Sequence, residues 1–260
     1  MSQNMNITDS SFQIKAPLVL PENEVQLWRA DLEAIGADES RWQTVLSSDE
    51  TVRAARFHFP QDRQRFVASR AVLRTILAGY LAIDPADVNF SYSSKEKPLL
   101  GPAHGGSDVM FNVSHSGGIA LFAFTRHFDI GIDVEQVRRD FDLDAIARRF
   151  FSAHEQSQLA ALPADERVEG FFRCWTRKEA YIKAHGDGLS IPLASFRFEL
   201  CDPVRIHFAD ATDDPAAWWF AWRDPTPHHA LAVAVHLGDG GGARAARMRV
   251  EWAAVGLDEL

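Results

Sequence analysis

Residues 129–135 read Asp-Ile-Gly-Ile-Asp-Val-Glu, a segment in which Ile130, Ile132 and Val134 alternate with Gly131, Asp133 and Glu135. This period of two predicts a strand with one buried apolar face. Asp133 and Glu135 then leave the opposite face about 7 Å apart. Downstream, residues 174–184 (Cys-Trp-Thr-Arg-Lys-Glu-Ala-Tyr-Ile-Lys-Ala) have helical composition and meet no breaker until Gly186. Glu179 and Lys183 are four apart and share a helix face, with Trp175 one turn earlier. A helix packed over the end of the strand brings Asp133, Glu135 and Glu179 to one point. Like charges held together are costly unless a cation lies between them, and a hard oxygen cluster suits Mg²⁺. Taken singly, each segment also fits a blander role: a half-exposed strand face, and a surface ion pair worth about 0.2–0.5 kcal/mol. Lys178 lies on an adjoining face and is a further candidate for lining the same cleft.

The composition narrows the setting. With 260 residues the chain is long enough for one large domain or two small ones. A formal net charge of −9 argues against a general nucleic-acid binder. Two cysteines, Cys174 and Cys201, are too few for a disulfide framework and fit a reducing cytoplasm. The polar segment from Met1 to Lys15 has no basic stretch followed by an apolar run, so no signal peptide is expected. No apolar stretch approaches the roughly 18–20 residues that span a bilayer. A cytoplasmic protein away from the membrane is expected.

A loose leader over residues 1–20 is followed by a strand near Val25–Arg29, a short helix over 49–58 and a longer one opened by Pro60 and running to about Leu81. Six arginines (53, 56, 63, 65, 70 and 74) concentrate positive charge here, as expected of a solvated helix face. Strands are predicted at 88–92, 109–113, 119–125 and 129–135. Helices follow at 143–150, from Ser152, and from Glu166 to Ala184, ending at the Gly186-Asp187-Gly188 breaker. Alternation returns around 195–201, 204–208, 217–222, 230–236 and 246–252. Helix-then-sheet order occurs twice, with connections too short for a dominant parallel sheet. The expectation is an α+β protein of two halves, 21–128 and 129–260.

Two further segments carry chemistry. Phe-Asn-Val-Ser-His-Ser-Gly-Gly (111–118) reads as a strand closed by a polar turn, whose backbone N–H groups and imidazole suit a diphosphate. A hydrolytic role for Ser114 and His115 is disfavoured, because no Gly-x-Ser-x-Gly elbow is present. A turn histidine satisfying its neighbours is the ordinary alternative. Ser152-Ala153-His154-Glu155 fits a capping box, with Glu155 as a general base the sharper alternative.

Together these segments resemble the 4′-phosphopantetheinyl transferases of the long, surfactin-synthetase-activating class. The resemblance spans about residues 48–200. It rests on Phe-Asn-Val-Ser-His-Ser-Gly (111–117), Gly-Ile-Asp-Val-Glu (131–135), Phe-Phe-Ser-x-x-Glu (150–155), Trp-Thr-Arg-Lys-Glu-Ala-Tyr-x-Lys-Ala (175–184) and Gly-x-Gly-Leu-Ser-x-Pro-Leu (186–193), in the family's order. It implies two pseudo-twofold-related halves, each a small, mainly antiparallel sheet packed with helices, with the active site between them. It also implies transfer of phosphopantetheine from coenzyme A to a serine of an apo acyl or peptidyl carrier protein, releasing adenosine 3′,5′-bisphosphate. By the same resemblance Asp133, Glu135 and Glu179 hold Mg²⁺, while His115 and Lys183 contact the diphosphate oxygens; Ser114 and Lys178 are further candidates for binding the donor. Lys97 and Pro98 lie near the adenine, and Arg53 and Arg65 approach the 3′-phosphate. The proton acceptor is Glu135, Glu179 or Glu155. The family usually has glycine before the Lys-Pro pair, where this chain has Glu96.

A carrier protein, commonly acidic near its serine, needs a local basic patch on this acidic chain. Arg138, Arg139, Arg148 and Arg149, with Phe141 and Leu143, are the nominated patch, with a solvated loop and helix face the ordinary alternative. Two-half construction implies a monomer. The rival readings are a metal-dependent nucleotide phosphohydrolase using the same carboxylates, and a non-catalytic homologue that binds coenzyme A or a carrier.

Overall fold

The computed structural model describes residues 6–7, 17–36, 39–186, 191–200, 204–209, 213–222 and 225–252. Most of the expected leader, Cys201, and the motif positions Asp187 to Ser190 lie outside the described residues.

The elements run β1 (Asn6–Ile7), β2 (Glu24–Asp31), α1 (Leu32–Gly36), α2 (Ser48–Ala54), α3 (Pro60–Leu81), β3 (Phe90–Tyr92), β4 (Pro98–Leu100), β5 (Val109–Ser116) and β6 (Ile119–Arg126). They continue with β7 (Asp129–Gln136), α4 (Leu143–Phe150), α5 (Ala153–Ala161), α6 (Arg167–His185), β8 (Phe196–Phe198), β9 (Ile206–Phe208), β10 (Trp218–Ala221), β11 (His229–His236), α7 (Gly241–Ala245) and β12 (Arg249–Trp252). The architecture is mixed α+β with small, mostly antiparallel sheets, in line with the expected class.

Four layers stack as helix, sheet, sheet, helix. The first sheet has β2 antiparallel to β6 and β6 antiparallel to β5. One face of it carries Trp28, Ala30, Phe111, Ala120, Phe122 and Phe124 and packs against α3. The other face, with Val25, Leu27, Leu121 and Ala123, packs on Ile130, Ile132 and Val134 of β7 and Leu231, Val233 and Val235 of β11. The second sheet, β10-β11-β7, is antiparallel throughout, and α6 covers its outer face. Each layer pair thus repeats one plan, a three-stranded antiparallel unit with one long helix outside. Strand β6 is covered on both faces, which is why Ile119–Phe124 is continuously apolar rather than alternating. The last strand, β12, returns to the first sheet and pairs in parallel with β2, so 129–260 is not confined to the second sheet.

Strands β5 and β7 lie side by side without a backbone ladder. Instead, three alternate β5 side chains accept from alternate β7 amides: Asn112 Oδ1 from Ile132 N (2.9 Å), Ser114 Oγ from Val134 N (3.2 Å) and Ser116 Oγ from Gln136 N (3.1 Å). These side chains satisfy edge N–H groups that would otherwise go unpaired in a buried setting.

The helix ends follow local chemistry. Pro60 opens α3 at a position where no backbone donor is needed, and α6 stops at Gly186 in the left-handed region (φ 88°). The arginine run is not one solvated face. Arg70 and Arg74 turn inward and both pair with buried Glu50, Arg74 Nε at 2.6 Å, while Glu50 also caps Ser47 N. Removing Glu50 would strand two buried guanidinium groups at a cost of about 3–5 kcal/mol. This ion triad fixes α2 against α3.

Candidate functional site

Strand β7 and helix α6 approach closely because Gly131 has no side chain: a Cβ there would stand 2.0 Å from Ala180 O and 2.4 Å from Ala184 N. That contact sets the last turns of α6 directly over the acidic face of β7. As a result Asp133, Glu135, Trp175, Glu179 and Lys183 line one cavity of about 350 Å³, together with Val113, Ser114 and His115 from β5. The convergence expected from strand and helix periodicity is what the backbone produces.

Within the cavity, Lys183 Nζ donates to Asp133 Oδ1 (2.6 Å) and to Ser114 Oγ (3.1 Å), and Ser114 donates to the same Asp133 oxygen (3.1 Å). Ser116 Oγ donates to Glu135 Oε2 (2.8 Å). Burial pushes the Asp133 carboxyl up against the opposing pull of Lys183 and Ser114. Glu135 is raised by burial and then by the charge of Asp133. Glu179 is raised to about 7, again by burial first, with Asp133 and Glu135 adding and Lys183 opposing. Asp133 raises both glutamates and Glu135 raises Glu179, so the group calls for positive charge beyond a single ammonium.

Asp133 Oδ2 is buried with no hydrogen-bond partner. An orphaned carboxylate oxygen next to two further carboxylates is a hard donor set, and these residues fit a divalent cation such as Mg²⁺. Among the described residues, however, no three ligand-type side chains already stand at coordinating spacing.

A second cavity of about 460 Å³ adjoins the first through Val113 and His115, and is lined also by Arg53, Phe57, Arg65, Phe66, Tyr92, Glu96 and Pro98. His115 therefore faces both spaces. Desolvation by the cavity walls lowers its pKa, and Lys183 lowers it further. Arg53 lies 3.7 Å from Glu96, and Arg65 lies 2.6 Å from Glu33. Glu96 stands in the left-handed region (φ 60°), the physical reason for a glycine preference at that position.

Four expected site assignments are displaced. Lys178 is fully buried and donates to Leu193 O and Phe196 O, both at 2.7 Å, and pairs with Glu155 at 2.9 Å. It does not line the cleft. Glu155 is equally buried: Oε2 accepts from Ser152 N and Oγ, while Oε1 accepts from Phe198 N. It is a cap and core ion-pair partner, with no oxygen turned to the cavity. Lys97 Nζ donates to Ile130 O (3.1 Å) and Lys183 O (2.7 Å), so it ties β7 to the last turn of α6 instead of reaching into the second cavity. The Ser114 hydroxyl accepts from Val134 N and Lys183 and donates to Asp133, leaving no capacity for a ligand.

The expected anion-binding turn is also shifted. Strand β5 continues through Ser116, and the turn is Gly117-Gly118, both at positive φ (57° and 85°). Ser114 and His115 are strand residues paired with Leu121 and Ala120, so their side chains rather than a turn of free backbone N–H groups border the cavity. Sequence reading did not foresee Ser116 or Asn112, although polar residues at every second position of an otherwise apolar strand are the signal that marks them.

A family model described as the 4′-phosphopantetheinyl transferase superfamily matches residues 129–234, and one for the N-terminal region of 4′-phosphopantetheinyl transferase matches 36–127. The chain is 46% identical to 4′-phosphopantetheinyl transferase HetI of a Nostoc species over 220 residues, 84% of this chain and 90% of that protein. It is 34% identical to 4′-phosphopantetheinyl transferase Sfp of Bacillus subtilis over 196 residues, 75% of this chain and 84% of that protein. With these matches spanning both sheet–helix units and the cavity between them, the chain belongs to the 4′-phosphopantetheinyl transferase superfamily.

Proposed function

We propose that this protein transfers the phosphopantetheine group of coenzyme A to a serine hydroxyl of an apo acyl or peptidyl carrier protein. The observation that carries the reading is the gathering of Asp133, Glu135, Glu179 and Lys183 in one cavity that opens, past His115, into a second cavity bordered by arginines. The first space suits a diphosphate and the second the adenosine 3′-phosphate end of the donor.

The serine oxygen of the carrier attacks the β-phosphorus of coenzyme A. A new P–O bond forms to serine as the bond to the 5′-phosphate oxygen breaks, and adenosine 3′,5′-bisphosphate leaves. Lys183 and His115 bind and orient the diphosphate oxygens, while Arg53 and Arg65 turn from Glu96 and Glu33 to the nucleotide phosphate. The serine proton passes to a carboxylate of the cavity, Glu135 or Glu179. Asp133, Glu135 and Glu179 would hold Mg²⁺, which supplies charge neutralisation on the diphosphate when bound. No nucleophile is required of this chain, because the carrier brings its own.

Residues 21–128 and 129–260 form the two halves of this reading, with β12 lent to the first sheet, and the protein acts as a cytoplasmic monomer. Among the described residues no helix is long and apolar enough to cross a membrane. The carrier docks on the basic stretch Arg138, Arg139, Arg148 and Arg149, where Phe141 and Leu143 add apolar contact. Intact mass spectrometry of a panel of apo carriers incubated with the protein, coenzyme A and Mg²⁺ tests the reading. One phosphopantetheine added to a carrier is the expected result. Cleavage of coenzyme A without any acceptor would identify a phosphohydrolase, and binding without turnover a non-catalytic homologue.

A further inference from the structure

The two carboxylates that β7 presents to the cavity are held by the same device, repeated two residues apart. Ser114 Oγ accepts from Val134 N and donates to Asp133 Oδ1. Ser116 Oγ accepts from Gln136 N and donates to Glu135 Oε2. In each case one hydroxyl bridges a β7 amide to the carboxylate of the preceding β7 residue. A hydroxyl has a single proton. With the oxygen of each serine accepting from one β7 amide, that proton is directed to the carboxylate within reach, so each serine fixes one carboxylate oxygen. Asp133 Oδ2 is thereby left without a partner. Both serines belong to β5, in the first sheet, and both carboxylates to β7, in the second, and no backbone ladder joins the two strands.

We propose that Ser114 and Ser116 are positioning residues that pre-set the Asp133 and Glu135 carboxylates for a divalent cation and make that setting depend on the register of β5 against β7. This rests on the reading of the acidic cavity as a magnesium site. Ser116 is the better handle. Its partner Gln136 is only half-buried, so water replaces the lost acceptor when the hydroxyl is removed, whereas Ser114 is buried and supports Lys183 as well.

The test compares wild type, Ser116→Ala, Ser116→Thr and Asp133→Ala by titration with Mn²⁺, followed by water-proton relaxation, in the presence of coenzyme A. Steady-state transfer to an apo carrier at varied Mg²⁺ is measured alongside. Outer-shell partners of metal ligands typically contribute about 10- to 100-fold in metal affinity or activity. Ser116→Ala is therefore expected to weaken Mn²⁺ binding about 10-fold or more and to raise the Mg²⁺ concentration for half-maximal rate in proportion. The KM for the carrier stays constant, and Ser116→Thr, which keeps the hydroxyl, restores the wild-type values. Wild-type Mn²⁺ affinity and Mg²⁺ dependence in Ser116→Ala, while Asp133→Ala has lost both, would overturn the positioning role and leave the magnesium site standing. Absence of Mn²⁺ binding by wild type itself would remove both.

Discussion

Lys183 Nζ sits 2.6 Å from Asp133 Oδ1, and the two come from different elements, the last turn of α6 and the middle of β7. The aspartate is 5% exposed at its side chain and the lysine 29%, so one member depends on protein contacts while the other also reaches water. This asymmetry separates catalysis from stability. In Asp133→Ala the ammonium left behind is hydrated, and a carboxyl already pushed up by burial is gone. The expected result is a folded protein with a wild-type thermal transition to within a few degrees. Transfer to an apo carrier falls by on the order of 10²–10³ or more, as when a charge-stabilising group is removed. Retained transfer in the folded variant, measured by intact mass, contradicts the site.

Glu179 gives stability a pH dependence of definite sign. Its pKa rises from an ordinary 4.5 to about 7 in the folded protein, so between those values the folded state keeps a proton that the unfolded state has released. Stability contributed by this group is therefore present below about pH 4.5, declines as pH rises through the window and is fully lost above about 7. Asp133 and Glu135, also raised, act in the same direction. A cation among the carboxylates removes the repulsion. Added Mg²⁺ should then raise Tm more at pH 8 than at pH 5, and Glu179→Gln should flatten the decline. Scanning calorimetry across that range reads both, and an equal Mg²⁺ effect at the two pH values contradicts the coupling.

Gly131 tests whether the packing of α6 on β7 places the chemistry. A Cβ at this position meets helix backbone at 2.0 and 2.4 Å, which no rotamer change can relieve. Gly131→Ala is expected to cost about 3 kcal/mol or more, at the upper end of overpacking effects. It should also lower kcat, because Glu179 and Lys183 move away from Asp133. Chemical denaturation with parallel kinetics checks both. A stable variant with normal kcat would show that the close approach is dispensable.

Much of this arrangement was legible in the sequence wherever a period or a breaker forced it. Alternation fixed the face of β7 that carries Asp133 and Glu135, and Pro60 and Gly186 marked the start of α3 and the end of α6. Burial from elsewhere in the chain was not legible. Lys178 and Glu179 are adjacent on one helix, yet α6 is covered on several sides, and carbonyls of Leu193 and Phe196 draw Lys178 inward while Glu179 faces the cavity. For Glu155 the sequence favours the cap over a base, and the structure agrees, but the sequence does not reveal that Phe198 N and Lys178 claim the second oxygen. The family resemblance places Lys97 near a nucleotide, and nothing local announces that two carbonyls, from β7 and α6, converge on its ammonium.

The basic stretch around α4 gives a prediction that separates donor from acceptor. Arg148 and Arg149 are exposed on the last turn of α4, outside both the acidic cavity and the arginine-bordered one beside it. Reversing both charges to glutamate should raise the carrier KM about 10-fold through slower, less favourable encounter, and more at low salt than at high. The coenzyme A KM should not move. Steady-state kinetics with each substrate varied in turn decides it, and an unchanged carrier KM removes this surface from docking.

Glu96 combines two penalties that substitution can separate. Its backbone is left-handed (φ 60°), a conformation costing an L-residue about 1–2 kcal/mol, and its carboxylate faces Arg53 across the second cavity at 3.7 Å. Glycine relieves the strain, partly offset by greater freedom of the unfolded chain, so Glu96→Gly should gain about 0.5–1 kcal/mol. Both that variant and Glu96→Gln release Arg53 from an exposed ion pair worth about 0.2–1 kcal/mol, so both should lower the coenzyme A KM by about 1.5- to 5-fold. Only the glycine variant should also melt higher. A lower KM in the glycine variant alone would assign the effect to backbone freedom in the 93–97 turn, and no change in either would detach Glu96 from the donor site.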